Sequence, residues 1–238
     1  MRIKDLKEQP LLELPEFGVR SWVRVRPSDI EAMQRSLDAN RKAGFGNSIA
    51  SLAYEMSELG VNPHLTQGDV DLMKGGLDVF RKNKGGLGLA ETHHAMRCLG
   101  FPQEITGEDR EMIENDLTES QSDGGALRRF GLLACASRLL GRREPTDEDI
   151  KKIRRDLEAA RSLADGMEIA THQYYMKQLN LGYTIREGDM EAYKKALTEE
   201  RSRRRGEMIA RMLFLLAKVL PEEERQESQM PPIKRIGK

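Results

Sequence analysis

The sequence predicts an all-α fold: an α-solenoid of five tandem 40-residue helical hairpins with an extended N-terminal cap. Three observations carry this. An aspartate recurs every 40 residues, at Asp29, Asp69, Asp109, Asp149 and Asp189. A leucine follows eight residues after each, at Leu37, Leu77, Leu117, Leu157 and Leu197. Within a unit the apolar residues keep helical spacing, as in Ile30, Met33 and Leu37, then Ile49, Leu52, Ala53, Met56 and Leu59. A fixed period of this length marks stacked supersecondary units, each burying its apolar face against its neighbours.

The elements follow in chain order. Residues 1–26 lie outside the repeat. Prolines 10 and 15 interrupt Leu11, Leu12, Leu14 and Phe17, and Ser21 to Arg26 alternates with period two, so this arm reads as an extended cap anchored by Trp22. The repeat domain spans 27–225, divided as 27–65, 66–105, 106–145, 146–185 and 186–225. Each first helix begins at a threonine or its equivalent three residues before the recurrent aspartate. Thr66, Thr106 and Thr146 are placed to cap the third backbone N–H while the acid reaches back. Glycines at 85–86, 124–125 and 206 are expected to turn the chain between helices, and Gly60, Gly100, Gly141 and Gly182 to close the second helices. Arg41, Arg81, Arg161 and Arg201 correspond, with Gln121 the exception. Residues 226–238 read as a flexible tail.

In this outline the chain resembles helical-repeat scaffolds of the HEAT, armadillo and tetratricopeptide type, with a unit length closest to HEAT. The resemblance is one of architecture and covers about residues 27–225; it implies a right-handed stack and carries over no functional residues.

Composition bounds the function classes. Of 238 residues, 38% are hydrophobic and 33% charged, which suits a thin stack with much surface. The 39 basic and 39 acidic residues cancel, so no global field recruits nucleic acid or a membrane. The N-terminus carries no apolar signal core, and the longest apolar stretch, Met208 to Leu220, is too short to span a bilayer and contains Arg211 and Lys218. A cytoplasmic protein is expected. Cys98 and Cys135 fall in different units and suggest no disulfide framework.

The chemistry-bearing residues are sparse. Four histidines form no ligand set at zinc spacing, and Lys84-Gly85-Gly86-Leu87-Gly88 lacks the ending of a phosphate loop. No catalytic, cofactor or metal residues are assigned. Departures from the repeat are the place to look for specificity. His93 and His94, Arg129, and His172 with Tyr174 and Tyr175 are candidates to line one groove for a protein partner. Arg129 and Phe130 stand where other units are apolar or carry alanine, which the sequence reads as a local bend of the stack.

Charge is placed unevenly. Segments joining first to second helix are net basic, and segments entering first helices are net acidic, as helix dipoles favour. The basic rim of Arg41, Lys42, Lys82, Lys84, Arg201, Arg203, Arg204 and Arg205 is the candidate polyanion site, with no interleaved aromatics to stack bases. In the last unit Met212, Phe214, Leu215, Leu216 and Leu220 give more than one apolar face, so something must cover an end that terminal repeats normally keep polar. The chain's own tail or a second copy in a homodimer would do so. The function expected is a non-catalytic protein-interaction scaffold. Nucleic-acid or other polyanion binding through the rim is the alternative. An enzyme is the third reading, which a buried, non-periodic cluster of ionisable groups in a pocket would favour.

Overall fold

The computed structural model describes residues 22–122, 126–141 and 144–220. They form ten helices: α1 (Pro27–Ala43), α2 (Gly46–Glu58), α3 (Gln67–Asn83), α4 (Gly86–Cys98), α5 (Gly107–Ser122), α6 (Ala126–Leu139), α7 (Asp147–Ser162), α8 (Gly166–Gln178), α9 (Glu187–Arg203) and α10 (Gly206–Val219). No strand occurs among the described residues, and residues 22–26 are turn, bend and irregular backbone rather than a strand. The proposed tail at 226–238 and the arm up to residue 21 lie outside the described residues, as do Gly124 and Gly125.

Helix starts obey the cap chemistry. Thr66 and Thr146 Oγ1 accept from the N–H groups of Asp69 and Asp149 at 3.3 and 3.2 Å, while each aspartate accepts from its threonine's N–H. Thr106 and Asp109 do the same. In α1 and α9 an arginine occupies the cap position, and only the aspartate's half remains, at Arg26 N and Arg186 N.

The same aspartates take a second partner from the preceding pair of helices. Arg41 reaches Asp69 through Nε and Nη2 at 2.8 and 3.0 Å. Arg81 grips Asp109, and Arg161 grips Asp189, in the same bidentate way, each across 28 residues. Burial opposes ionisation of Asp69, Asp109 and Asp189, but the guanidinium and cap hydrogen bonds outweigh it and hold all three low, Asp109 at about 2. The aspartate that recurs in sequence is therefore one half of an inter-unit latch.

The recurrent glycines serve close approach. A Cβ on Gly46 would sit 1.8 Å from the Leu72 carbonyl oxygen; on Gly86, 2.6 Å from that of Met112; on Gly166, 2.3 Å from that of Ala192. The left-handed turn expected there falls two residues earlier, at Gly44, Lys84, Ala164 and Arg204. Gly60, Gly100 and Gly141 do adopt positive φ after the second helices, but in the fourth unit Asn180 takes that role instead of Gly182.

Both devices recur once more, between the ends of the chain. Arg201 grips Asp29 at 2.7–3.2 Å across 172 residues, and a Cβ on Gly206 would lie 2.1 Å from the Ala32 carbonyl oxygen. Helix α10 packs on α1 as α2 packs on α3. The even-numbered helices touch in sequence, α2 on α4, α4 on α6, α6 on α8, α8 on α10, and α10 returns to α2. The odd-numbered helices lie outside them.

This closure removes the open end that a linear stack would leave. Met212, Phe214, Leu215, Leu216 and Leu220 are at most 3% exposed, buried within the single chain. The apolar excess of α10 packs against α1, α2, α8 and α9, so among the described residues these side chains present no exposed face to a second copy. The described end of the N-terminal segment, Trp22 to Arg26, lies over the closure, where Arg201 donates to the carbonyls of Trp22 and Arg24 at 2.7 and 2.8 Å.

The third unit shows how the pattern survives a lost residue. Gln121 stands where the latch arginine belongs, and Arg129, one helix later, supplies the guanidinium to Asp149 at 3.0 and 3.1 Å. Arg129 is 6% exposed, so it is a latch residue of α6 rather than a partner-facing one, and no bend is needed to explain it. Arg129→Ala is expected to cost about 3–5 kcal/mol, the usual penalty for orphaning a buried charge. Adding Gln121→Arg should recover much of it in urea denaturation. No recovery would mean the two positions are not equivalent.

Candidate functional site

The second helices present one face to the axis. Its positions recur at 47–48, 51, 54–55 and 58 and their equivalents, the spacing of a single helical stripe. The 40-residue repeat fails along this face. Position 51 reads Ser51, Glu91, Gly131, Thr171 and Arg211 around the five units; position 54 reads Tyr54, His94, Ala134, Tyr174 and Phe214. A cavity of about 290 Å³ lies between the even-numbered helices, lined by all five of them.

Its wall has two layers. In one, aromatic rings follow one another around the axis: His94 to Tyr54 at 5.4 Å between centroids, Tyr54 to Phe214 at 5.5 Å, and Phe214 to Tyr174 at 5.4 Å. Their edge-to-face or tilted pairing is the favoured geometry for such contacts. Ala134 occupies the fifth place and leaves the gap. Arg138 bridges that gap, with Nη1 2.7 Å from His94 Nε2 and Nη2 3.5 Å from the Tyr174 hydroxyl; it also donates to Gln178.

The second layer holds the ionisable groups. Arg211 Nη1 donates to Glu55 Oε1 at 3.0 Å. Burial pushes the Glu55 carboxyl up to about 7, although the Arg211 charge and hydrogen bond pull it down. Glu91 is also pushed above the usual carboxylate range by burial, against the pull of Arg211. It makes no hydrogen bond or ion pair among the described residues. Cys135 and Tyr175 close this layer, and burial raises both, the thiol to about 12. His94 is held down to about 4 by burial and then by the Arg138 charge, so it is neutral at physiological pH. Asn47, Ser48, Glu207 and Met208, in the first turns of α2 and α10, form the cavity's mouth.

The structure separates the residues the sequence grouped as one partner groove. His94, Tyr174 and Tyr175 line the cavity. His93, Arg129 and His172 are buried in the wall: His93 lies 3.3 Å from Asp109, off hydrogen-bond geometry, and His172 Nδ1 is 2.8 Å from the Glu168 carbonyl. None of the six forms an exposed surface with the others.

The basic rim divides too. Arg41 and Arg201 turn inward to their aspartates. Arg205 donates to Glu200 at 2.6 Å, and Arg203 lies 3.9 Å from Glu199. Lys42, Lys82, Lys84 and Arg204 stay exposed at the helix ends.

Sequence reasoning missed Glu55, Glu91, Arg138 and Arg211. The available signal was the loss of repetition along one face of the second helix. Among the described residues no cluster of side chains suits a metal ion, and no helix is long and apolar enough to cross a membrane. The chain matches no protein-family model, no curated protein and no solved structure.

Proposed function

We propose that this chain is a closed ring of five tandem helical hairpins that binds a small organic molecule in its axial cavity. The observation that carries the proposal is the sorting of residues. Positions that repeat build the latches and the close-packed wall. Positions that do not repeat converge from all five second helices on one cavity. A structural requirement common to every unit would repeat, so a constellation unique to each unit answers to something outside the repeat. The volume sits at the small end of ligand sites, and the lining mixes aromatic faces with a few charged groups, as such sites do.

The protein-scaffold reading draws its support from the resemblance to other helical repeats, but its candidate residues point inward or pair within the chain. Catalysis on the bound molecule is the second reading, favoured by Glu55. A carboxyl poised at about 7 exchanges protons at neutral pH, which suits a general acid or base.

The test is retention of small molecules. Purified protein is dialysed against a pooled metabolite library, and the compounds held are identified by mass spectrometry. Ala134→Phe, which fills the gap in the aromatic layer, should abolish retention while leaving helicity unchanged. Equal retention by both proteins, or none by either, would overturn the proposal.

A further inference from the structure

The charges in the cavity are committed unequally, and the imbalance selects a ligand class. Two cations face it. Arg211 is engaged by Glu55 at 3.0 Å, and Arg138 is spread over His94, Tyr174 and Gln178. Of the three carboxylates lining it, Glu55 holds Arg211, and Glu207 at the mouth accepts from the Asn40 side chain. Glu91 alone makes no hydrogen bond or ion pair among the described residues, and the Arg211 charge acts on it without contact. It projects from the middle of α4 into the charged layer, one turn from the aromatic layer that His94 begins.

We infer that the ligand of this cavity is a small organic cation, an ammonium with a flat or apolar body, whose charged head pairs with Glu91. The inference rests on the cavity reading above. An anionic ligand would meet Glu91 and find Arg211 paired with Glu55 and the Arg138 donors already given to Tyr174 and Gln178. A neutral ligand that displaced water would leave a buried carboxylate unsatisfied, which is costly. An ammonium supplies the missing donors in a charge-assisted hydrogen bond. The faces of Tyr54, Tyr174 and Phe214 stabilise the same charge and pack against the body. The raised pKa of Glu91 agrees, since burial disfavours its ionised form by more than the Arg211 charge favours it.

The probes are a matched set sharing one phenyl body: 2-phenylethylamine, 2-phenylethanol and phenylacetate. Each is titrated calorimetrically into the full chain and into Glu91→Gln at about pH 8, where the amine is still protonated. The amine should bind the unmodified protein roughly ten- to a hundredfold tighter than the alcohol, the range for a hydrogen bond to a charged group. In Glu91→Gln that preference should vanish, with the melting temperature held or raised.

If the alcohol or the acid binds as tightly as the amine, or if Glu91→Gln keeps the preference, the cation assignment is overturned while a binding cavity stands. If none of the three binds, the assignment fails as well. Library retention then decides separately whether the cavity binds anything.

Discussion

Arg201→Ala should destabilise the chain by about 3–5 kcal/mol, the cost of leaving a buried partner charge uncompensated. The group it would orphan is Asp29, which is 2% exposed. The effect should match that of Arg41→Ala, which breaks an internal latch of the same geometry. In an open stack Arg201 would lie at a free terminus, and its removal would fall within about 0.5 kcal/mol, as surface changes do. Gly206→Ala is the steric counterpart: its Cβ would sit 2.1 Å from a backbone carbonyl oxygen that no rotamer change can move. Equilibrium urea denaturation of the three variants decides the matter. An Arg201→Ala protein as stable as the unmodified one would mean that α1 and α10 are not latched in solution. Hydrogen exchange gives a second readout, because loss of the closing latch should deprotect α1 and α10 ahead of the other helices.

The helices and their caps were legible because they rest on local chemistry. A threonine three residues before an aspartate needs only its own turn to act, and the apolar spacing needs only the helix. Closure was not legible. Asp29 and Arg201 carry the same repeat positions as every other latch pair, but the sequence gives no sign that the last arginine reaches back to the first aspartate. That depends on the angle each unit adds, which accumulates over five units and is set by packing. The apolar excess of α10 is the visible trace, and in an open stack it calls for the chain's own tail or a second copy as its cover. The burial of Met212 and Leu215 at 0% exposure within one chain reassigns it.

The site was legible only in part, for a related reason. His94, Tyr174 and Tyr175 stood out as departures from the repeat, but the same rule selected Arg129, which repairs a latch. Departure alone does not separate repair from function. The direction of the side chain does, and that follows once α2, α4, α6, α8 and α10 are known to enclose an axis. Glu55 and Arg211 escaped notice because they lie 156 residues apart and pair only across the closure.

That pair carries the second large prediction. Arg211→Met should cost about 3–5 kcal/mol near pH 8 and little near pH 5. The sign follows from Glu55. Its folded pKa of about 7 lies above the usual 4.5, so the folded state holds the proton more tightly than the unfolded chain does. The stability contributed by this linkage is fully present below about 4.5 and is lost as pH rises through 7. Glu91 shifts in the same direction. Removing the guanidinium takes away the charge that lowers both carboxyls, which raises them further and steepens the loss at alkaline pH. Below about pH 5 Glu55 is protonated in the folded protein, and a methionine of similar length replaces a cation that has lost its ionised partner. The histidines His93, His94 and His172 titrate in both proteins and largely cancel in the difference. Urea denaturation across this range should therefore show the two stabilities diverging as pH rises. Glu55→Gln in the Arg211→Met background should close much of the gap at pH 8. A penalty that stays constant from acid to alkaline pH would show that Arg211 acts through packing alone, and that the buried carboxyls do not set the chemistry of the cavity.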